Sequence, residues 1–336
     1  MEARIGISVS TGLAGLAPAA TVTVRGAGVA GLTLAYELVQ RGCRVQIKEK
    51  RAQIAGNASW QAGGMLAPWC ECESADPVIL ALGRQSISWW HAALPDQVVG
   101  NGTLVLALNR DRRELDRFAC RTTGHISLGR DDLAGLEPEL ADRFGQGLFF
   151  AGEAHLDPRR TLLALAARLQ ALGVEITYAA DSEFAIAGAD IIADCTGMDA
   201  LSPGLRGVRG EMLILRAPDV TLSRPVRLLH PRFPIYVIPR ADHHFMIGAT
   251  MVESDSAAPV TARSAVELIN AAYALHPAFA EAEIIEAGVG IRPAFADNLP
   301  RVDRSGSIVS INGLYRHGFL LAPAMARKAA ELILNG

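Results

Sequence analysis

The first interpretable alternation of apolar and polar positions begins at residue 21. Thr21-Val-Thr-Val-Arg25 has the period of a strand, and residues 30–41 then place Leu32, Ala35, Leu38 and Val39 on one helical stripe that Gly42 closes. A second strand follows over 44–49. Residues 77–92 read as a helix, 104–108 as a strand, and 111 onward as a charged helix. Asp157-Pro158 supplies an N-cap and a first-turn proline ahead of a helix over 159–172, which Gly173 stops before a strand over 174–178. Residues 191–195 form an apolar run of buried-strand type that ends in a Thr-Gly turn. Strands at 211–215, 235–238 and 244–249, a helix over 261–274, a strand ending near Arg292, a strand over 308–311 and a last helix over 323–334 complete the pattern. The order predicts an α/β protein. A Rossmann-type domain with a parallel sheet would be built from 21–80, 145–205 and 285–336. A mixed, largely antiparallel substrate domain would come from the insertions 81–144 and 206–284, and 1–20 would be an N-terminal extension.

Chemistry enters at Gly26-Ala-Gly28-Val29-Ala30-Gly31, set between the first strand and the first helix. In this context Gly26 permits the tight turn, Gly28 lets the backbone approach a pyrophosphate, and Gly31 lets the helix pack closely on the sheet. The helix N-terminus favours the pyrophosphate's negative charge. Glu49, 18 residues beyond Gly31 at the end of the second strand, is placed to accept hydrogen bonds from the ribose hydroxyls and to repel a 2′-phosphate.

The bulk numbers narrow the partners. The 336 residues are half hydrophobic with a net charge of −3, and no basic block suggests nucleic acid or an anionic membrane. No apolar run is long enough to span a membrane. Residues 5–20 are too rich in Gly and Ser for a strong secretion signal. Five cysteines, at 43, 70, 72, 120 and 195, show neither zinc spacing nor a disulfide framework, which fits a reducing cytoplasm. His243 and His244, as neighbours on a strand, would point to opposite faces and cannot chelate one ion, so a turn is the better reading and no metal site is expected.

The chain resembles the D-amino-acid-oxidase-like FAD oxidoreductases, and within them the glycine oxidases of thiamine biosynthesis. Four segments carry the resemblance: GAGVAG at 26–31, ASWQAGGMLAPW at 58–69, PIYVIPR…FMIGATM at 234–251, and GIRPAFADNLP with GLYRHGFLLAP at 290–300 and 313–323. It implies FAD as cofactor, held non-covalently, with Gly26, Gly28, Val29, Ala30 and Gly31 at the pyrophosphate and Glu49 at the ribose. Ser59, Gly63, Gly64 and Met65 would lie along the pyrophosphate and isoalloxazine, and Val174 near the adenine. Thr196-Gly197 would end a second cofactor strand, and Arg316, His317, Gly318, Phe319 and Leu320 would lie by the flavin's pyrimidine edge.

For the substrate, the resemblance implies a carboxylate held by Arg292, whose planar fork suits it, with Tyr236 as a phenolic donor and Arg316 as a second positive group. Met251 matches the narrow end of the pocket and also reads as a core residue. The implied reaction is oxidative deamination of glycine or another small amino acid, with hydride passing to the flavin and no protein acid or base required. Dioxygen would be reduced to hydrogen peroxide. Partners would be the amino acid, dioxygen and a thiazole-forming enzyme, in a homo-oligomeric assembly. Three rivals remain open: a sarcosine or D-amino-acid oxidase or dehydrogenase, a non-catalytic FAD-binding subunit, and an NAD-dependent dehydrogenase, which the long 58–68 segment suits less well.

Overall fold

The computed structural model describes residues 21–180, 190–200 and 202–335, and the N-terminal extension at 1–20 lies outside them. A six-stranded sheet carries the first strand, Thr21–Arg25, at its centre. Its order is Arg301–Ser305, Ile308–Asn312, Ile191–Asp194, Thr21–Arg25, Arg44–Lys48 and Glu175–Thr177. All pairs are parallel except the antiparallel edge made by Arg301–Ser305. Val22 and Val24 are fully buried in one core with Leu32, Ala35 and Leu38 of the predicted stripe on the helix Val29–Gln40; Leu34, outside that stripe, is buried there too, and Val39 is only half-buried.

The second sheet has nine strands. It is antiparallel throughout except where Val226–Leu229 runs parallel to Thr103–Ala107. The helix Ala262–Leu275 covers it with Leu268, Ala272 and Leu275, which join a core of Leu104, Leu106, Leu213 and Val237. Two strands that the sequence division grouped with the nucleotide-binding part, Gln146–Phe150 and Glu283–Ala294, pair in this sheet instead. Their apolar spacing suits either sheet, and only long-range pairing chooses between them.

Two element ends also move. The stretch predicted as one helix over 77–92 is two, Pro77–Gly83 and Ser86–Ala93. The last helix begins at Gly318 rather than 323 and carries Pro323 inside it. Proline normally ends a helix because it leaves the carbonyl four residues earlier unbonded. Here that carbonyl is Phe319 O, and it accepts from Ser86 Oγ (3.2 Å) and Trp90 Nε1 (2.9 Å). A neighbouring helix thus replaces the missing bond. Among the described residues no helix is long and apolar enough to cross a membrane.

Candidate active site

One cleft of about 720 Å³ runs from the end of the first strand to the face of the second sheet. Its first end is made mostly of backbone. Gly26 turns the chain at φ +96°, with the Cys195 and Thr196 backbone packed against it. At Gly31 a Cβ would collide with the Gly26 carbonyl oxygen, so only glycine lets the helix approach this closely. The first helix starts at Gly28 with no capping side chain on its N-cap and no acidic residue in its first turn. Ser59 Oγ accepts the Val29 N–H at 3.1 Å, which brings the 57–64 segment over the helix N-terminus. Glu49, 3% exposed, accepts Ala27 N–H at 2.7 Å and Arg51 N–H at 2.9 Å. The Thr196-Gly197 turn is tied to the neighbouring strand by Asn312 Nδ2, which donates to Gly197 O at 2.9 Å. A helix N-terminus with no acidic residue in its first turn, a close glycine turn and a carboxylate fixed at the end of the second strand fit the ADP half of FAD.

The middle of the cleft is held from behind. Arg240, buried, donates to Gly63 O (2.6 Å) and Leu156 O (3.2 Å), and its burial lowers its pKa to about 10. Met65–Leu66 pairs with Ala154–His155 in a short two-stranded sheet. Arg159 makes a two-pronged bond to Glu286 (2.7 and 2.7 Å) and reaches Gln61 Oε1 (3.2 Å) and Trp60 O (3.3 Å). These bonds tie the 57–64 segment to the strand that carries Arg292.

The far end is built of side chains. Arg292 leaves the strand Glu283–Ala294 and donates to Thr250 O at 3.0 Å. It has no carboxylate partner among the described residues. A Cβ at Gly210, on the adjacent strand, would collide with its guanidinium. Tyr236 packs over Gly248 and Gly63 in the same way. Burial pushes the Tyr236 phenol up, against the downward pull of Arg292, so it is a hydrogen-bond donor at neutral pH.

Beside them Glu71 lies between Arg227 (3.2 Å) and Arg316 (3.1 Å), with His317 Nδ1 at 3.4 Å. Burial pushes the Glu71 carboxyl up, and Arg316, Arg227 and His317 outweigh it and hold it at about 2. Burial lowers His317 to about 4 despite Glu71, so the imidazole is neutral at pH 7. Behind this group, Glu153 accepts the Cys70 N–H at 2.8 Å, and burial drives its carboxyl up to about 7.

Almost every site residue singled out in the sequence lines this cleft. Gly31 does not, because it lies behind the turn and serves the packing described above. Val174 is a correction. It is buried, its N–H is spent on Leu169 O, and that part of the chain reaches the cleft at Ala180 instead. The helix-to-strand turn after Gly173 points the Val174 N–H back at its own helix. Met251 is also corrected as a core residue, since it is 55% exposed at the cleft mouth, with its sulfur 3.5 Å from Tyr315 Oη. Arg316 is in the cleft but is paired with Glu71 and bonded to Ser74 Oγ at 2.7 Å.

Sequence reasoning missed Glu71, Arg227, Gln61 and Glu153. Gln61 and Glu71 carried a usable signal, because Gln61 lies within the 58–69 segment and Glu71 just after it. His243 has a left-handed backbone (φ +55°) in a turn, as read, and no group of three metal-ligating side chains occurs among the described residues. All five cysteines are free.

Comparison with known proteins agrees with this geometry. A family model described as FAD dependent oxidoreductase matches residues 21–332. A relative in Rhizobium etli, named as a thiamine biosynthesis oxidoreductase ThiO, is 55% identical over 94% of this chain and 96% of its own length. The glycine oxidase of Pseudomonas aeruginosa is 28% identical over 93% of this chain and 94% of its own. Among solved structures, the glycine oxidase of Geobacillus kaustophilus superposes with a TM-score of 0.77 at 23% identity, covering 94% of each chain. The iminodiacetate oxidase of Chelativorans sp. BNC1 gives 0.78 at 24%, covering 94% of this chain and 95% of its own, and these two likenesses speak to fold. The chain therefore belongs to the DAO family of FAD-dependent oxidoreductases.

Proposed function

We propose that the protein oxidises glycine or another small amino acid at its α-carbon, with dioxygen as the final acceptor and hydrogen peroxide as a product. The observation that carries this reading is Arg292: a cationic fork facing the cleft, walled by Gly210, beside a buried phenol and without a carboxylate partner among the described residues. An amino-acid carboxylate matches that fork. Tyr236 would donate to the same group, and the pair would fix the α-carbon by anchoring its neighbour. Bound FAD would supply the two-electron acceptor. The residues proposed to hold it are Gly26, Gly28, Val29, Ala30, Glu49, Ser59, Gly63, Gly64, Met65, Thr196, Gly197, His317, Gly318, Phe319 and Leu320. Neutral His317 would take no proton in this scheme, and desolvation and alignment would do most of the work.

The relative named ThiO supports a place in thiamine synthesis, where the imine would be consumed before hydrolysis. A relative in Synechocystis named as bifunctional ThiO/ThiG, 27% identical over 94% of this chain and 51% of its own, supports a second enzyme as the consumer. The test is the visible spectrum of the holoenzyme with glycine in the absence of oxygen. Bleaching that reverses in air with peroxide release supports the reading. A flavin spectrum unmoved by glycine, sarcosine and D-amino acids removes it and leaves a non-catalytic flavin-binding subunit.

A further inference from the structure

The substrate end of the cleft holds more guanidinium groups than one carboxylate calls for. Arg292, Arg227 and Arg316 all line it. Arg227 and Arg316 converge on Glu71, one on each carboxylate oxygen, and the three side chains are only 14, 19 and 16% exposed. Arg227 lies directly opposite Tyr236 in the antiparallel pair of Val226–Leu229 with Ile235–Pro239, so both side chains leave the sheet on one face. The second pair of forks is therefore adjacent to the Arg292–Tyr236 clamp. Without Glu71, a substrate bearing a side-chain carboxylate would meet two matching cations there. With Glu71 in place, it meets a half-buried negative charge and no free fork, a repulsion that a poorly screened site strengthens.

We infer that Glu71 is a specificity-determining residue. It occupies Arg227 and Arg316 with a carboxylate of the protein's own, and so restricts the cleft to amino acids with one carboxylate and rejects acidic ones such as D-aspartate or iminodiacetate. The inference rests on the reading of Arg292 as the carboxylate clamp.

The test is Glu71→Gln in the holoenzyme. Acetate, malonate, succinate and glutarate are titrated against the flavin spectrum, and kcat/KM is measured for glycine and D-aspartate. The wild type should bind malonate no more tightly than acetate. The variant should raise the affinity ratio of one diacid over acetate at least tenfold, and the D-aspartate-to-glycine ratio of kcat/KM by a similar factor. Unchanged ratios in a variant that retains FAD overturn the assignment. An equal gain for all three diacids also overturns it, because a seat for a second carboxylate selects chain length and a diffuse charge effect does not. If Glu71→Gln loses FAD, the double variant Glu71→Gln/Arg316→Gln restores the net charge and leaves Arg227 uncovered, and the same criteria apply. A wild type that neither oxidises glycine nor responds to acetate removes the clamp reading itself, whereas one that does both with ratios unmoved removes only the role of Glu71.

Discussion

The two ends of the cleft are built by opposite means. The end at Gly26 is mostly backbone: a helix N-terminus and a glycine turn, with one carboxylate, Glu49, pinned by two amides within 22 residues of it in sequence. The far end uses charged side chains from distant segments, with Glu71, Arg227, Arg292 and Arg316 converging from a short helix, two strands of one sheet and a loop. Backbone donors are fixed once the local fold forms. Buried charges stay in place only while their partners do.

The largest effect is expected at the rigid end. Gly31→Ala puts a methyl group against the Gly26 carbonyl, which is backbone and cannot yield. Loss of detectable FAD with far-UV circular dichroism retained is the expected result, and a flavin-replete Gly31→Ala would show that the turn is softer than its geometry. Arg292→Ala should do the reverse: flavin stays bound while kcat/KM for glycine falls by about 100-fold or more, as removal of a buried charged partner costs about 2–5 kcal/mol. Flavin lost together with activity would mean that the two ends are not separable.

A third measurement bears on the cost of the charged end. Glu153 is raised from 4.5 to about 7 by burial. Between those pH values the native state keeps a proton that the unfolded chain releases, so stability should fall as pH rises from about 4.5 through 7, by about 3 kcal/mol in total. Glu153→Gln keeps an acceptor for the Cys70 N–H and should flatten that slope when urea midpoints are compared at pH 5 and pH 8. An unaltered slope would assign the pH dependence elsewhere. The smallest effect belongs to Glu49→Gln. Glutamine offers one oxygen where Ala27 and Arg51 use two, so FAD affinity should weaken by about tenfold, measured by flavin fluorescence on reconstitution.

The contrast also explains what could be read in advance. The glycine turn, its helix and Glu49 lie within one βαβ unit, so spacing alone places them together. Arg292 and Tyr236 were legible through the segments around them. Arg227 was not, since it sits in a short apolar strand and gains its meaning from the pairing that sets it opposite Tyr236. Val174 misled because the strand expected over 174–178 begins only at Glu175, and the Val174 N–H is committed to the preceding helix.

By itself the sequence determined the parallel βαβ start, the position of the glycine turn and the acid that follows it, because local periodicity and glycine sterics act over a few residues. Only the tertiary structure decided which sheet the strands Gln146–Phe150 and Glu283–Ala294 join, how Pro323 is accommodated inside a helix, and that a carboxylate at Glu71 meets two arginines. Those outcomes depend on contacts between residues far apart in the chain, where charge and hydrogen-bond demand are settled by which side chains are brought within about 3 Å of each other.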